Sequence, residues 1–348
     1  MAKISRIGID TSKSVFQLHG VDEAEQEVLK RKLRRGELLT FFEKLEPTVV
    51  GLEACGGSHH WARELSKLGH QVMLVPPQYV RPYVERGKND AADASAICEA
   101  MSRPRVRQRL VAAKSTEQVA LQMLLGARES LIRRRTQLSN SIRGYAAEFG
   151  VVAAKGLARI QPLLERIAAD DGIPDLAKAA FATLGQEFAE LGPRIVTLDA
   201  KLMAWHRSNE LSRRLAEVPT IGPIGACLLS AKITDPRIFR SGRMCAAWIG
   251  LTAKDHSSGG KQRLGGITRA GDETLRAVLV SGATAYISYV RRGRIQPSPW
   301  LASLLKRKPP KLAAVALANK TARIAWKLMI SGQRYHRTST AAAPPVAA

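Results

Sequence analysis

The chain has 348 residues, which is enough for two or three domains. Hydrophobic residues make up 45% and charged residues 24%, so the chain can form a packed core and global disorder is disfavoured. The formal net charge is +24, which indicates a polyanionic partner, and nucleic acid is the commonest one. The alternative is a basic surface that is merely solvated.

The positive charge is concentrated in two regions. Residues 101–145 contain ten Lys or Arg but two acidic residues, and no acidic residue follows Glu273, although Lys and Arg recur as far as Arg337. Two separate basic regions favour a long nucleic-acid track over one small anion pocket. The predicted nucleic-acid-binding residues are Arg134, Arg135, Lys261, Arg263, Arg269 and Lys308.

The sequence argues against membrane insertion, secretion and a zinc site. The opening MAKISRIGID lacks the apolar core of a signal peptide, and no stretch approaches the roughly 18 apolar residues of a spanning helix. The four cysteines are far apart and form no Cys-x-x-Cys pair. This spacing is typical of a protein of the reducing cytoplasm.

The first hundred residues have the pattern of an α/β domain. Apolar and alternating segments predict five strands, at Arg6–Asp10, Val15–Leu18, Glu27–Leu33, Thr48–Glu53 and Gln71–Val75. Amphipathic segments predict helices at Glu37–Leu45, at Ser58–Leu68 and from Asn89 to about Met101. Three strands, helix, strand, helix, strand and helix is the element order of a ribonuclease-H-like domain.

Residues from about 115 to 215 are predicted to be helical. Ser115 offers an N-cap, with Gln118 three residues later. Two runs have coiled-coil spacing: Leu124, Leu131, Leu138 and Tyr145, then Leu184, Phe188, Leu191, Ile195, Leu198, Leu202 and Trp205. Gly192–Pro193 should kink or restart the second helix. An intramolecular helical hairpin and a dimer seam both fit these runs.

A third, basic region begins near residue 216. Val218–Gly225 resembles a helix-hairpin-helix turn, in which glycines let backbone N–H groups approach a DNA phosphate. An ordinary packing corner is the alternative. Leu251–Gly266 is predicted to be a loop, and a helix is predicted to begin near Glu273. Residues 336–348 are predicted to be a flexible tail.

Four carboxylates occupy informative positions in the α/β region. Asp10 and Glu53 end two predicted strands, while Asp90 and Asp93 share one face at a helix start. Carboxylates at one strand edge repel each other unless cations lie between them, and oxygen ligands suit Mg²⁺ or Mn²⁺. Two such ions about 3.5–4 Å apart can clamp the attacking and leaving oxygens of a phosphodiester. Taken singly, each acid could instead be a turn residue, a surface acid or a helix N-terminal charge.

Two other features of this region have alternative interpretations. Gly8–Ser12 also resembles the opening of actin-like ATPases and sugar kinases, which need a later Asp-x-Gly phosphate loop and a Gly-rich adenosine site, and we identify neither site. His59 and His60 could line the pocket, but adjacent helical histidines point to different sides. Solvent or interface roles are therefore expected for them.

A second constellation lies in His256–Gly266, a Gly-rich segment in which Lys261 and Arg263 follow two serines. A hydroxyl in such a loop has room to reach a phosphate, whose charge the cations would stabilise. Because Ser-Ser-Gly-Gly is common in flexible loops, a plain linker is the alternative.

Five motifs follow one another along residues 4–332: Gly8–Lys13, Leu52–Gly56, Lys88–Ala94, Pro219–Pro223 and Gly250–Lys261. This ordered set resembles the DEDD transposases of bacterial insertion sequences, in the family numbered one-ten, whose relatives include the Piv-type DNA invertases. The resemblance implies a RuvC-type ribonuclease-H domain over residues 1–108, a helical coiled coil over 109–215 and a C-terminal transposase domain over 216–335.

The resemblance also implies a reaction and its partners. Asp10, Glu53, Asp90 and Asp93 match the carboxylates expected to hold Mg²⁺. Ser258 matches the serine expected to attack DNA and form a phosphoserine link, with Ser257 as the alternative register. Family members move their element through a circular intermediate, use a non-coding bridge RNA to pair donor and target DNA, and assemble as dimers that join into tetramers. Ala253 stands where the family usually has proline.

Two other functions fit the same residues. A RuvC-like junction resolvase would use the carboxylates with water and would not need Ser258. A non-catalytic nucleic-acid-binding protein would use the basic regions and tolerate loss of the carboxylates. Neither the donor and target sites nor the guide RNA sequence can be deduced from this chain.

Overall fold

The computed structural model describes residues 3–84, 90–107 and 109–336. The chain divides into two compact units: an N-terminal unit of residues 1–119 with 233–240, and a C-terminal unit of residues 120–232 with 241–348. Some sequence predictions lie outside the described residues, namely those for Lys88, Asn89, Arg337 and the tail that follows Arg337.

The N-terminal unit contains a mixed five-stranded sheet. Its strands are β1 (Arg6–Thr11), β2 (Val15–Val21), β3 (Glu27–Arg34), β4 (Val49–Glu53) and β5 (Gln71–Val75). The order is β3-β2-β1-β4-β5, with antiparallel pairing from β1 to β3 and parallel pairing from β1 to β5. All five predicted strands are confirmed. The first four residues of β1 are buried, because a central strand is covered on both faces.

Helices cover the two faces of this sheet. They are α1 (Leu38–Phe42), α2 (Ser58–Lys67), α3 (Pro77–Val80), α4 (Asp90–Ser102) and α5 (Pro104–Arg107). Ile9 packs in one core with α1 and α2, whereas its neighbour Gly8 faces α4. Alternate residues of a strand point to opposite faces, so α4 lies across the sheet from α1 and α2. The predicted helix Glu37–Leu45 is shorter in the structure, because residues 35–37 form a separate 3-10 turn.

Two glycines let α4 lie directly on the central strands. A Cβ atom on Gly8 would lie 2.2 Å from the Ala94 carbonyl oxygen, and a Cβ atom on Gly51 would lie 2.5 Å from the Met101 sulfur. Gly8 and Gly51 are partners in the parallel register of β1 and β4. The missing side chains therefore set how closely α4 approaches the sheet, and hence where its first turn lies.

The predicted helical region is confirmed. It comprises α6 (Thr116–Glu148), α7 (Ile160–Ala169), α8 (Asp175–Ser208) and α9 (Glu210–Ala216). The predicted cap of α6 is also confirmed: the Gln118 N–H donates to Ser115 Oγ at 3.1 Å, and the Ser115 N–H donates to Gln118 Oε1 at 3.0 Å.

α6 and α8 form an antiparallel hairpin within the chain. Arg128 pairs with Asp199, and further along α6 Arg134 pairs with Glu187, which precedes Asp199 on α8. Buried residues of both helices share one core with α7, namely Leu138, Ile142, Ile160, Leu163, Ile167, Phe181 and Leu191. Leu138 and Leu191, which belong to the predicted heptad runs, are thus buried within the hairpin.

The structure excludes the predicted alternative of a helix restart at Pro193, and it leaves Tyr145 outside the buried positions of the heptad run. α8 continues through Pro193 without a restart, because Leu191 and Ile195 are buried on either side and their packing offsets the missing N–H donor. Tyr145 is 57% exposed, because Ile142 and Ala146 take the buried positions near the end of α6. A helix of 3.6 residues per turn drifts away from a strict heptad.

The rest of the C-terminal unit is mainly helical, as predicted. Its elements are α10 (Pro223–Lys232), α11 (Gly242–Trp248), β6 (Ala253–Asp255), β7 (Leu264–Ile267), α12 (Glu273–Arg291), α13 (Pro299–Arg307) and α14 (Pro310–Ser331). The expectation of a plain loop over Leu251–Gly266 is wrong, because β6 and β7 pair as an antiparallel hairpin. Among the described residues, no helix has the length and apolarity needed to span a membrane.

The turn between α9 and α10 is partly buried. The hydroxyls of Thr220 and Thr321 form a hydrogen bond of 2.6 Å, and a Cβ atom on Gly282 would lie 2.1 Å from the Thr220 carbonyl oxygen. Gly222, just before α10, is exposed. The turn thus packs against α12 and α14, as expected for a packing corner, and leaves one glycine open to solvent.

Candidate active site

Three predicted carboxylates converge where β1 ends. One carboxylate oxygen each of Asp10, Asp90 and Asp93 lies within 4.8 Å of the others. Asp10 lies near the end of β1, and the two other acids are in the first turn of α4. All three donors are hard oxygens, which is the ligand type that Mg²⁺ and Mn²⁺ prefer.

The convergence follows from matched repeats of strand and helix. Arg6 Nε donates to the Cys98 carbonyl oxygen at 3.0 Å, Gly8 faces Ala94, and Asp10 meets Asp90. From one contact to the next, the position advances by two residues along β1 and goes back by four residues along α4. Two strand residues rise about 6.6 Å and four helical residues about 6.0 Å, so the antiparallel helix and strand stay in step.

Glu53 lies beside this cluster rather than inside it. It ends β4, the parallel neighbour of β1, and it is not among the three residues whose oxygens lie within 4.8 Å of one another. The charge of Glu53 nevertheless raises the pKa of Asp10, and the charge of Asp93 raises the pKa of Glu53. The four predicted acids therefore share one electrostatic environment.

Burial and mutual repulsion make this a poor place for negative charge. Burial, followed by the charges of Asp93, Asp90 and Glu53, raises the pKa of Asp10 from 3.8 to about 6. Burial and then Asp93 raise the pKa of Glu53, while Arg81 acts in the opposite direction. A divalent cation would remove the repulsion, so the donor set and its charge both fit Mg²⁺ or Mn²⁺.

Sequence reasoning missed the residues that position these acids. Gly8 and Gly51 each precede a carboxylate by two residues, as Gly8–Ile9–Asp10 and Gly51–Leu52–Glu53. In a strand, residues two apart face the same side, so each glycine admits α4 on the face where the acid points. This repeated pattern of glycine, apolar residue and acid on two predicted strands is the sequence signal that could have identified the two glycines. Sequence reasoning also missed Arg81, whose charge lowers the pKa of Glu53.

The second constellation is the tip of the β6–β7 hairpin. The Lys261 N–H donates to the Ser258 carbonyl oxygen at 3.0 Å, and the two residues between them, Gly259 and Gly260, have φ angles of 57° and 76°. Positive φ at both central positions is the signature of a type I′ turn, which favours glycine. Ser258 is thus the first residue of a tight turn.

The two adjacent serines differ in their hydrogen bonds. Ser257 Oγ accepts from the Arg263 N–H at 3.0 Å, and the Ser257 N–H donates to Asp255 Oδ1 at 2.9 Å. Hydrogen bonding from the Ser257 side chain, and then from its backbone N–H, lowers the pKa of Asp255. Within residues 109–336, the hydroxyl of Ser258 has no hydrogen-bond partner, and the residue is exposed. Ser258 therefore offers the freer hydroxyl.

The predicted nucleic-acid-binding residues are spread over the C-terminal unit. Lys261, Arg263, Arg269 and Lys308 are exposed. The Arg134 side chain is 61% exposed although it pairs with Glu187. Arg135 is half-buried, and its Nε atom is buried without a hydrogen-bond partner among the described residues.

His59 has a structural contact in the N-terminal unit. Its Nδ1 accepts from the Lys114 N–H at 3.2 Å. Burial, together with the charges of Lys114 and Arg63, lowers the pKa of His59 to about 4. The imidazole is therefore neutral near pH 7 and acts as a hydrogen-bond acceptor.

Comparison with known proteins identifies the family. A family model described as Transposase IS116/IS110/IS902 family matches residues 212–296, and the DEDD transposase model of the IS110 type, described as Transposase, matches residues 7–149. A Sinorhizobium fredii protein named as transposase y4pF/y4sB is 63% identical over 336 residues. The matched residues cover 96% of this chain and 86% of the Sinorhizobium protein.

Two further relatives carry related names. A Pseudomonas aeruginosa protein named as a family 20 transposase is 46% identical over 329 residues, covering 94% of this chain and 97% of its own. The transposase for insertion sequence element IS1111A of Coxiella burnetii is 36% identical over 337 residues, covering 96% and 92%. The chain therefore belongs to the IS110/IS116/IS902 family of insertion-sequence transposases, enzymes that cut and rejoin DNA.

Proposed function

We propose that this transposase uses a divalent-metal carboxylate cluster and the Ser258 hydroxyl to break and rejoin DNA strands. The observation that carries the proposal is the convergence of Asp10, Asp90 and Asp93 within 4.8 Å at the end of the central strand. The sheet order and the position of Glu53 at the end of the parallel neighbour support a ribonuclease-H-like fold of the RuvC type.

The metal cluster would consist of Asp10, Glu53, Asp90 and Asp93, with Mg²⁺ as the expected ion, two ions as the expected number and Mn²⁺ as a substitute. Bound there, the metal supplies Lewis-acid stabilisation of charge on phosphate oxygens. The chain's own part is to hold the four carboxylates in place against their repulsion. Strand ends position Asp10 and Glu53, and the first turn of α4 positions the other two.

In the proposed cleavage step, a bond forms between Ser258 Oγ and phosphorus while the bond from phosphorus to one deoxyribose oxygen breaks. The serine proton passes to a base, and the departing oxygen takes up a proton. Rejoining reverses the step with a hydroxyl of another strand. Lys261 and Arg263 on the same hairpin would stabilise phosphate charge. Asp255 is a poor base, because its bonds with Ser257 lower its pKa.

Several partners follow from the family resemblance. We infer donor and target DNA, a bridge RNA bound through the basic regions, and a homodimer that joins into a tetramer. Such a DNA-bound assembly would associate with the nucleoid. The runs Leu124–Leu138 and Leu184–Trp205 would form the coiled coil. Since their core is packed within the chain, a dimer would add to this hairpin from outside.

Trapping the covalent intermediate tests this function. With DNA carrying the element's ends and Mg²⁺, the wild type should give a denaturation-resistant protein–DNA adduct. Ser258→Ala should lose adduct and recombination but keep DNA binding, whereas Ser257→Ala should retain much of both. Asp10→Asn, or EDTA with the wild type, should abolish cleavage while the circular-dichroism spectrum stays native.

Other outcomes would redirect the proposal. An adduct that persists in Ser258→Ala and disappears in Ser257→Ala would move the nucleophile by one residue. Cleavage without any adduct would favour a water-using nuclease of the junction-resolvase kind. Random fragments, rather than one specific RNA, among nucleic acids co-purified from cells that express the whole element would contradict the bridge-RNA partner.

A further inference from the structure

The C-terminal unit contains a groove that none of the steps above uses. It has a volume of about 1330 Å³, and it is bounded by the root of the β6–β7 hairpin on one side and by α13 and α14 on the other. Its apolar lining includes Trp300, Trp326, Leu304 and Leu312. Pockets for small ligands usually occupy about 300–1,000 Å³, so this groove has room for more than one small molecule.

The rim of the groove carries only positive charge. Six cationic side chains line it, and no acidic residue does: Arg243, Arg269, Lys308, Lys320, Arg323 and Lys327. Five of the six are exposed, and Lys320 is half-buried. None of the six forms an ion pair within the part of the chain that the structure describes. The rim therefore suits a ligand with several negative charges.

The groove also offers an aromatic surface beside those charges. Trp300 is 39% exposed, and the Lys320 ammonium lies 4.3 Å from the centroid of its ring. A lysine on a tryptophan face can pair with a phosphate when a base stacks against the ring. Aromatic side chains interleaved with cations are the usual surface for single-stranded nucleic acid. A DNA duplex would leave this apolar floor in water, because its bases are stacked inside.

We propose that the groove binds unpaired DNA bases next to the phosphate that Ser258 attacks. This inference rests on the proposed function, because it assigns the strand by the nucleophile. Thr252, Ala253 and Ile267 of the hairpin form one wall of the groove, and Ser258 lies at the tip of the same hairpin. Ser258 is the fifth residue after Ala253, and five extended residues span at most about 16 Å. A DNA strand rises about 3.4 Å per nucleotide in a duplex and more when it is extended, so the groove lies within about five nucleotides of the attacked phosphate.

Close backbone contacts hold together the root of the hairpin that forms this wall. Gly250 and Gly271 have φ angles of 81° and 102°. A Cβ atom on Gly250 would lie 2.2 Å from the Ala270 carbonyl oxygen, and one on Gly271 would lie 1.8 Å from that of Trp248. The two ends of the hairpin are thus locked backbone to backbone. Arg269, which lines the groove, is held between them with a φ angle of 55°.

Binding of short labelled oligonucleotides tests the groove. We would measure fluorescence anisotropy with the full chain in EDTA, using a 12-nucleotide single strand of DNA, its duplex, and RNA of the same sequence. Trp300→Ala should weaken single-strand DNA binding about 5- to 150-fold, the loss expected for one stacked base. Duplex binding should change by less than about 2-fold, and Trp300→Phe should restore most of the affinity.

Lys320→Ala has a matched control on the same helix. Lys311 is exposed on α14 but does not line the groove. Lys320→Ala should weaken single-strand DNA binding more than Lys311→Ala, whereas both should weaken duplex binding equally. Photo-crosslinking of wild-type protein to single-strand DNA containing 5-bromodeoxyuridine should label peptides with Trp300 or Trp326. This measurement holds even if a tryptophan variant fails to fold.

Four results would overturn the inference. Equal loss of single-strand and duplex binding in Trp300→Ala would make the groove a phosphate track. Groove-dependent binding of RNA but not of DNA would assign it to the guide. A change of oligomeric state in Trp300→Ala would assign it to a second copy of the chain. Crosslinks confined to peptides outside the groove would place the unpaired bases elsewhere. Because these assays need no metal and no cleavage, the groove can fail while the Ser258 adduct still forms, and the reverse.

Discussion

The acidic cluster and the serine hairpin hold their reactive groups in opposite ways. Asp10 lies on the central strand of a sheet that is packed on both faces, with α4 seated on glycine. Ser258 lies on an exposed turn whose shape comes from two glycines and one backbone hydrogen bond. Under the proposed function this contrast has a reason. Carboxylates that bind a metal must be held against their mutual repulsion, which requires a core, whereas a serine that attacks DNA must reach a phosphate, which requires exposure.

The largest effect on stability should come from the glycine beneath α4. Gly8→Ala places a methyl group against the Ala94 backbone, so α4 must shift, and the free energy of unfolding should fall by about 3 kcal/mol. Gly266→Ala is the matched change in the hairpin, because a Cβ atom there meets nothing within 4 Å. It should cost less than about 0.5 kcal/mol. Urea denaturation of both variants measures the difference, and equal losses would remove the contrast between the two sites.

The next largest effect should have the opposite sign. Without divalent metal at pH 7, Asp10→Asn removes a charge that its neighbours and its burial disfavour, so it should stabilise the protein by about 1–2 kcal/mol, allowing for partial solvent screening. With added Mg²⁺ the wild type should gain thermal stability and the variant should gain less. Melting curves with and without Mg²⁺ test both statements. A variant that is less stable than wild type in EDTA would contradict the repulsion argument.

The pH dependence of the stability of the metal-free wild type should reveal the same unfavourable charge on Asp10. The folded protein keeps the Asp10 proton up to a pKa of about 6, whereas the unfolded chain loses it near 3.8. Between these values the folded state binds more protons, so this contribution to stability is complete below about pH 4 and is lost as the pH rises through 6. Asp10→Asn should flatten the decline. Urea midpoints at several pH values in EDTA measure it, and an unchanged slope in the variant would assign the effect elsewhere.

The smallest effect should separate the two serines. Ser257→Ala removes the acceptor of the Arg263 N–H, so the hairpin should lose about 0.5–1 kcal/mol of local stability. Ser258→Ala removes no hydrogen bond among the described residues and should leave the hairpin unchanged. Hydrogen exchange of the Arg263 amide reports this directly. Faster exchange in Ser258→Ala than in Ser257→Ala would reverse the roles of the two hydroxyls.

The α/β half of the fold was predictable because its signals are local. Strand periodicity located five strands, and acids at strand ends located Asp10 and Glu53. The hairpin was missed because Leu251–Gly266 was predicted to be a loop, whereas Gly259 and Gly260 satisfy a type I′ turn. The continuity of α8 through Pro193 could not be deduced, since it depends on tertiary packing of Leu191 and Ile195.

The free hydroxyl of Ser258 has a consequence for the insertion sequence as a genetic element. The fold makes no use of that hydroxyl within residues 109–336, so a copy that loses it by mutation should still accumulate as folded protein. Such a copy keeps its basic surface and the groove. Under the proposed role of Ser258, it would occupy the same DNA as the active copies without completing the reaction. Decayed copies that have lost Ser258 could thus act as repressors of the intact ones. Copies mutated at Gly8 would not, because we expect a chain altered there to fold poorly.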